Sequence, residues 1–137
     1  MIALLFITSV FVFFASLAYT LGLLTGLAIC ARGREDHSRA EKKGIALLRS
    51  WLTPEQSKEW DSYKRFDVIG SDTGTRYRVK YGAAMNIDEL NSDGKVVAQW
   101  CFGPQGNLVV CDVMLAQKIA LETMESEALR RANRNRW

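Results

Sequence analysis

The sequence has little of the chemistry that most metal and catalytic sites use. Its 137 residues contain one histidine, three cysteines and two prolines. Cys30, Cys101 and Cys111 form no C-x-x-C pair, and His37 lies far from the last two in sequence. Structural zinc sites take four Cys or His ligands, and disulfide-stapled domains have a higher cysteine density. We therefore expect no metal site, no cofactor and no histidine-activated nucleophile.

Charge is absent from the N-terminal segment. Residues 1–31 contain no Asp, Glu, Lys, Arg or His, so all 18 Lys+Arg and 15 Asp+Glu follow them. The averages of 48% hydrophobic residues and net charge +3 therefore combine two segments of different composition. An uncharged apolar run of more than about 18 residues is typical of a membrane-spanning helix. A signal peptide would need a basic residue before the run, so residues 1–31 are predicted to be an uncleaved transmembrane anchor.

Basic residues follow this apolar segment directly, with Arg32, Arg34 and Arg39 nearest to it. Lys and Arg beside a membrane span favour the side that is not translocated. The pattern predicts a single-pass protein of the bacterial inner membrane, with its N-terminus outside and its C-terminal domain in the cytoplasm.

Small residues recur every four positions in the apolar segment, at Ala18, Gly22 and Gly26. They would share one helix face and allow a second helix to approach closely in the membrane, unless they only reflect the frequency of glycine in such helices. Residues 32–51 are mixed in charge and become amphipathic near their end. They predict either a juxtamembrane helix on lipid headgroups or a charged linker, and the interruption at Gly44 favours the linker.

Residues 52–137 have the pattern of a small α+β domain. Thr53 and Gln56 form a capping-box signature, which predicts a helix from residue 54 to residue 64 or 65. Five strand-like segments separated by turns follow, at residues 66–69, 75–81, 85–90, 95–102 and 108–111. Connections this short predict an antiparallel meander. Asp112 is then expected to cap a long C-terminal helix over residues 113–133 that covers one sheet face.

Two short patterns in this domain could belong to a catalytic site or a disulfide, and each also has a simpler structural interpretation. Asp72-Thr73-Gly74 matches the tripeptide of aspartic proteases, which need two such aspartates in contact, so we interpret it as a hairpin turn. Cys101 and Cys111 flank the turn at residues 103–107, which predicts that they lie on adjacent strands. They would pair in an oxidising compartment and stay thiols in the cytoplasm.

The main candidate binding residues are Arg76, Arg78 and Lys80, which alternate with apolar residues and share one face of the predicted strand. A row of cations suits the phosphates of nucleic acid or anionic lipid, or an acidic partner; the alternative is a solvated outer face. A net charge of only +3 argues against nucleic acid. The turn at residues 103–107 is the second candidate.

Two sequence blocks carry a resemblance: C-F-x-P-x-G at residues 101–106, and D-V-M-L-A-Q-K-I-A-L-E at residues 112–122. With the segment around Thr53 and the turn at residues 70–74, they resemble small bacterial proteins that are uncharacterised. The resemblance implies a bacterial or phage origin and one compact domain. It brings no activity, cofactor or catalytic residue.

The polar residues are distributed over caps, turns and an outer face, without a convergent titratable cluster. We therefore expect a non-catalytic protein that presents a small interaction domain to the cytoplasm from a membrane anchor. Its expected partners are the lipid bilayer and either another protein or a second copy. The alternative is a membrane-tethered binder of nucleic acid or anionic lipid through Arg76, Arg78 and Lys80.

Overall fold

This computed structural model describes residues 2–82, 84–106 and 108–136, without the side chains of residues 2–18, 30 and 136. The elements in chain order are α1 (Ile2–Trp51), α2 (Pro54–Tyr63), β1 (Arg65–Ile69), β2 (Arg76–Lys80), β3 (Ile87–Leu90), β4 (Val96–Cys101), α3 (Val110–Arg131) and β5 (Asn133–Arg136). They divide into two compact units, Met1–Arg39 and Ala40–Trp137. The boundary between the units falls inside the predicted linker.

The first unit is the N-terminal part of α1, and it corrects the membrane predictions. Within the part of the chain that the structure describes, no helix is long and apolar enough to cross a membrane. Residues 2–18 of the predicted anchor lie outside the described side chains. The transmembrane helix, the single-pass topology with a cytoplasmic domain and the inner-membrane localisation are contradicted by this finding.

The second unit contains α2, which begins as the capping signature predicts and ends at Tyr63, just before the predicted end at residue 64 or 65. The Thr53 hydroxyl accepts from the Gln56 N–H at 3.2 Å, and the Gln56 side-chain oxygen accepts from the Thr53 N–H at 3.1 Å. The C-cap is Lys64, which adopts the left-handed conformation with φ 53° and donates its N–H to the Trp60 carbonyl. This cap turns the chain directly into β1.

The sheet has the strand order β1-β2-β3-β4-β5, and every pair is antiparallel. Short turns join the first four strands, so each strand pairs with its sequence neighbour, as in the predicted meander. In β2 the buried residues Tyr77 and Val79 alternate with three partly exposed basic residues. One face of the sheet therefore belongs to the core and the other faces outward.

The core lies between the inner sheet face and the three helices. Its fully buried members come from every layer: Leu48, Trp60, Phe66, Val68, Tyr77, Val79, Ile87, Met114 and Leu121. Leu48 belongs to α1 and is 0% exposed, so the last turns of that helix are part of the domain. The predicted linker, residues 32–51, is therefore not an irregular segment. It is helical throughout as part of α1, and its last turns pack on the domain.

The fifth strand and the last helix differ from the prediction. Residues 108–111 do not form a strand; α3 begins at Val110 after Val109, without a side-chain cap, so Asp112 is not the N-cap. A short apolar run does not distinguish a buried strand from a buried helix start, and here the helical spacing continues into the core. β5 instead follows α3, where Asn133 pairs with Cys101.

The two edges of the sheet differ in whether other parts of the chain bind their backbone groups. At the β1 edge the Asp67 N–H donates to the Glu59 carboxylate at 3.0 Å, and the Gln56 side-chain amide donates to the Asp67 carbonyl at 2.7 Å. Side chains of α2 therefore occupy hydrogen-bonding positions that another strand would use. At the opposite edge, no strand lies beyond β5 among the residues that the structure describes.

Candidate functional site

The structure brings the three predicted basic residues together on the outer sheet face, but it also brings acidic residues to them. The Asp67 carboxylate on β1 receives two hydrogen bonds from the Arg78 guanidinium, at 2.8 and 3.1 Å. The Arg76 guanidinium lies 3.8 Å from the same carboxylate, and the Lys80 ammonium lies 2.8 Å from Asp88 on β3. Cross-strand pairing has therefore neutralised most of this basic face.

The ion pairs also reduce what the face can offer to a phosphate. The hydrogen bonds that Arg78 donates to the Asp67 carboxylate raise the pKa of Arg78 above its ordinary value, so the guanidinium is already paired with a carboxylate. Asp88 is 5% exposed and also accepts from Gln99 at 2.8 Å. Sequence reasoning missed Asp67 and Asp88, although both fall at outward positions of the neighbouring strands. The observed register places both aspartates opposite Arg78, with Lys80 diagonal to Asp88.

The residues predicted to pack helices in a membrane lie on α1, in the first unit. Gly22 and Gly26 are exposed, and a Cβ atom built on either would have no neighbour within 4 Å. The Ala18 side chain lies outside the described residues.

A groove runs between α3 and the loop that follows β4, and we call it the α3 groove. It has a volume of about 590 Å³. The loop contributes Phe102, Gly103, Pro104 and Gln105, and the helix contributes Ala116, Ala120, Met124, Glu127, Ala128 and Arg131. The three alanines have short side chains and so leave space along the helix. The Met124 side chain is 52% exposed at the groove. The loop is the second predicted binding segment; its Asn107 lies outside the described residues.

The loop beside the groove is held by a buried amide pair. Asn86 and Gln117 exchange two side-chain hydrogen bonds, at 2.8 and 3.0 Å, and Gln117 also donates to the Phe102 carbonyl at 2.7 Å. Gln117 is 0% exposed, so loss of these bonds would leave buried polar atoms unpaired. The wall of the groove is thus fixed to α3 and to the residue that precedes β3.

One end of the groove is charged. Glu127 accepts hydrogen bonds from Arg130 at 2.6 Å and pairs with Arg131 at 2.8 Å. The side chains of Arg130 and Arg131 are 70% and 76% exposed, and these pairs lower the pKa of Glu127. Two cations for one carboxylate leave this end with an excess of positive charge.

A buried carboxylate lies behind the groove, at a break in α3. Met124 has φ −151° and ψ 46°, which interrupts the helix. Glu125, 0% exposed, accepts from the N–H groups of Asp72 and Thr73, each at 2.8 Å, and from the hydroxyls of Thr73 and Tyr77 at 2.6 and 2.7 Å. A Cβ on Gly70 would lie 2.3 Å from the carboxylate carbon, so this approach requires glycine.

The turn at residues 70–74 also binds the backbone of α3 just after the break at Met124. The Ser71 hydroxyl accepts from the Glu125 N–H, and the Asp72 carboxylate accepts from the Ser126 N–H at 2.9 Å. Asp72 therefore acts as a cap for the second half of α3, which lowers its pKa. This supports the turn interpretation of Asp72-Thr73-Gly74. Burial opposes ionisation of Glu125, but its four hydrogen bonds outweigh burial and lower its pKa.

The two cysteines of the second unit are free and do not lie on adjacent strands. Cys101 is on β4 and Cys111 is on α3, so the predicted arrangement across a hairpin is wrong. Burial and the nearby Glu41 carboxylate raise the pKa of Cys111 to about 12. Among the described residues, no group of three or more His, Cys, Asp or Glu side chains is arranged to hold a metal ion.

Comparison of the chain with protein-family models, with curated proteins and with solved structures gives no match. The resemblance to small bacterial proteins therefore stays a prediction.

Proposed function

We propose that residues 40–137 form a non-catalytic interaction domain whose binding site is the α3 groove. Its occupant is an apolar peptide segment of another protein with an acidic residue next to it. The observation that carries this proposal is the groove itself, an open apolar surface that ends at an excess of positive charge.

The composition of the groove supports a peptide. Protein partners bind where apolar surface is concave and bordered by polar groups, and flexible methionine side chains adapt to different apolar partners. Ala116, Ala120 and Ala128 leave room for inserted side chains, and Met124 is exposed beside them. Arg131, which lines the groove, shares the Glu127 carboxylate with Arg130, so an acidic residue on the incoming segment would complete the pairing.

The basic strand face gives less support to the alternative, a binder of nucleic acid or anionic lipid. Binding to a polyphosphate depends on free cations that release counterions. Arg76, Arg78 and Lys80 are each within ion-pair distance of Asp67 or Asp88.

The test is site-specific cross-linking in intact cells, with a photoreactive side chain at Ala120 and a matched control at Ala46, an exposed alanine on α1. We expect cross-links from position 120 to map onto apolar segments flanked by Asp or Glu. A synthetic peptide of the mapped segment is then titrated against the full chain and against Ala120→Phe, which fills the groove. We expect Ala120→Phe to weaken binding about tenfold or more, and Ala46→Phe to leave it unchanged.

Two results would contradict the proposal. One is equal cross-linking of the same proteins from positions 46 and 120. The other is a mapped peptide that binds Ala120→Phe as tightly as it binds the original chain.

A further inference from the structure

A second cleft lies on another side of the same unit, and it has a different chemistry. It has a volume of about 400 Å³ and is lined by Ile45 and Arg49 of α1, Trp60 of α2, Lys64 at its C-cap, and Tyr81 after β2. We call it the Trp60 cleft. Small-molecule sites in proteins have volumes of roughly 300–1,000 Å³, mostly apolar walls and a few fixed polar groups, which describes this cleft.

The walls are aromatic and aliphatic. The rings of Trp60 and Tyr81 have centroids 6.1 Å apart and planes inclined at 54°. Trp60 is 2% exposed and forms the floor, whereas Tyr81 is 50% exposed and presents a ring to the cleft. The Tyr81 hydroxyl donates to Glu41 at 2.9 Å, so the ring is held in place. A flat apolar group fits against these two rings.

The charge of the cleft comes from two cations with different partners. The Arg49 guanidinium pairs with Asp61 through one oxygen. The Lys64 ammonium has no carboxylate within ion-pair distance among the described residues, and it lies 5.4 Å from the centre of the Trp60 ring. The nearby Glu41 carboxylate already accepts from Tyr81 and from the Cys111 thiol. Lys64 is therefore the unneutralised charge of this cleft.

The backbone at Lys64 is fixed by a helix cap. Lys64 is one of two non-glycine residues in the described chain with positive φ, a conformation in which glycine or asparagine is usual at a helix C-cap. The cap hydrogen bond from its N–H to the Trp60 carbonyl, at 3.0 Å, ties it to the residue that forms the floor. The Lys64 side chain therefore starts at the edge of the cleft, and its ammonium lies 5.4 Å from the centre of the Trp60 ring.

From this combination we infer that the Trp60 cleft binds a small aromatic carboxylate, with its ring against Tyr81 and Trp60 and its carboxylate on Lys64. The Arg49 guanidinium, which has donors left after pairing with Asp61, borders the same anion. This site is separate from the α3 groove, and neither depends on the other.

The test is calorimetric titration of the full chain with 2-naphthoate and with its neutral analogue 2-naphthamide. We expect 2-naphthoate to bind about tenfold more tightly, because only the carboxylate forms an ion pair with the Lys64 ammonium, in which donor and acceptor are both charged. Lys64→Gln should remove this difference while leaving the affinity for 2-naphthamide unchanged. Lys58→Gln is the matched control, since Lys58 is an exposed lysine on α2 that does not line the cleft.

The site is located by NMR through the indole N–H of Trp60, which is expected to shift on titration. Circular dichroism of Lys64→Gln checks that the fold is retained. The inference is overturned if 2-naphthoate does not bind, if 2-naphthamide binds equally well, if Lys64→Gln keeps the preference for the carboxylate, or if the Trp60 signal does not move.

Discussion

The contact between Glu125 and the turn at residues 70–74 predicts a specific loss of stability in the variant Glu125→Gln. The carboxylate accepts four hydrogen bonds, two from backbone N–H groups and two from hydroxyls. The amide of glutamine keeps one acceptor oxygen, which can face the two N–H groups, while its NH₂ group faces hydroxyls that must rotate to accept. The geometry is retained but the charge is lost.

The size of the loss follows from the difference between charged and neutral hydrogen bonds. A hydrogen bond to a charged group contributes about 1.5–3 kcal/mol and a neutral one about 0.5–1.5 kcal/mol. A difference of about 1 kcal/mol per bond, applied to two to four bonds, gives a decrease of about 2–4 kcal/mol in the free energy of unfolding at pH 7. The assay is urea unfolding followed by tryptophan fluorescence. Glu35→Gln, a change of an exposed glutamate on α1, is the control and should leave the free energy of unfolding unchanged.

The pH dependence distinguishes the charge from the shape of the side chain. The hydrogen bonds hold the pKa of Glu125 below its ordinary value of 4.5 in the folded state. A carboxyl group with a lowered folded-state pKa contributes stability above its unfolded-state pKa, and this contribution is lost as the pH falls through the folded-state pKa. The difference between the original chain and Glu125→Gln should therefore be constant near neutral pH and shrink below pH 4.5. Equal stabilities at pH 7, or a difference that does not shrink in acid, would refute the reasoning.

Three further predictions concern the cap, the core and a thiol. Thr53→Ala should lower the free energy of unfolding by about 1 kcal/mol in urea titrations, because it removes the acceptor for the Gln56 N–H; a matched change at exposed Ser62 should have no effect. Leu48→Ala should cost about 2–5 kcal/mol in the same assay, since Leu48 is fully buried in the second unit, and a cost below 1 kcal/mol would contradict that packing. Cys111 should react with iodoacetamide at pH 8 only after unfolding, because its pKa is raised to about 12; peptide mass spectrometry of the native chain would reveal the contrary.

Local signals in the sequence predicted the parts of the fold that local interactions determine. The capping box at Thr53 and Gln56 specifies a helix start through hydrogen bonds within four residues, and it forms as expected. Alternation in β2 and short turns predicted which residues are buried and that the sheet is antiparallel. The sequence predicted a strand at residues 108–111 and none after the last helix, whereas β5 forms after α3, because its pairing with β4 is a contact between residues distant in sequence.

The candidate sites depended on contacts that no local pattern specifies. The cations Arg76, Arg78 and Lys80 were placed on one face correctly, but their neutralisation by Asp67 and Asp88 follows from strand register. Glu125 falls on the buried side of α3, where a charged residue in an apolar pattern is a signal that could have been used. Its partners come from a turn about fifty residues away in sequence, so the broken helix at Met124 was not predictable from periodicity.

The difference between the two sheet edges limits how copies of this domain can assemble. Unlimited growth by strand addition requires two sheet edges with unpaired backbone groups on every subunit, because each subunit must pair with two neighbours. Gln56 and Glu59 occupy hydrogen-bonding positions of β1, whereas β5 carries no strand beyond it in the described chain. A subunit with one such edge can pair with only one other subunit in this way. If copies of this domain pair by strand addition, β5 is therefore the edge available in the described chain, and pairing of two β5 edges would stop at two copies.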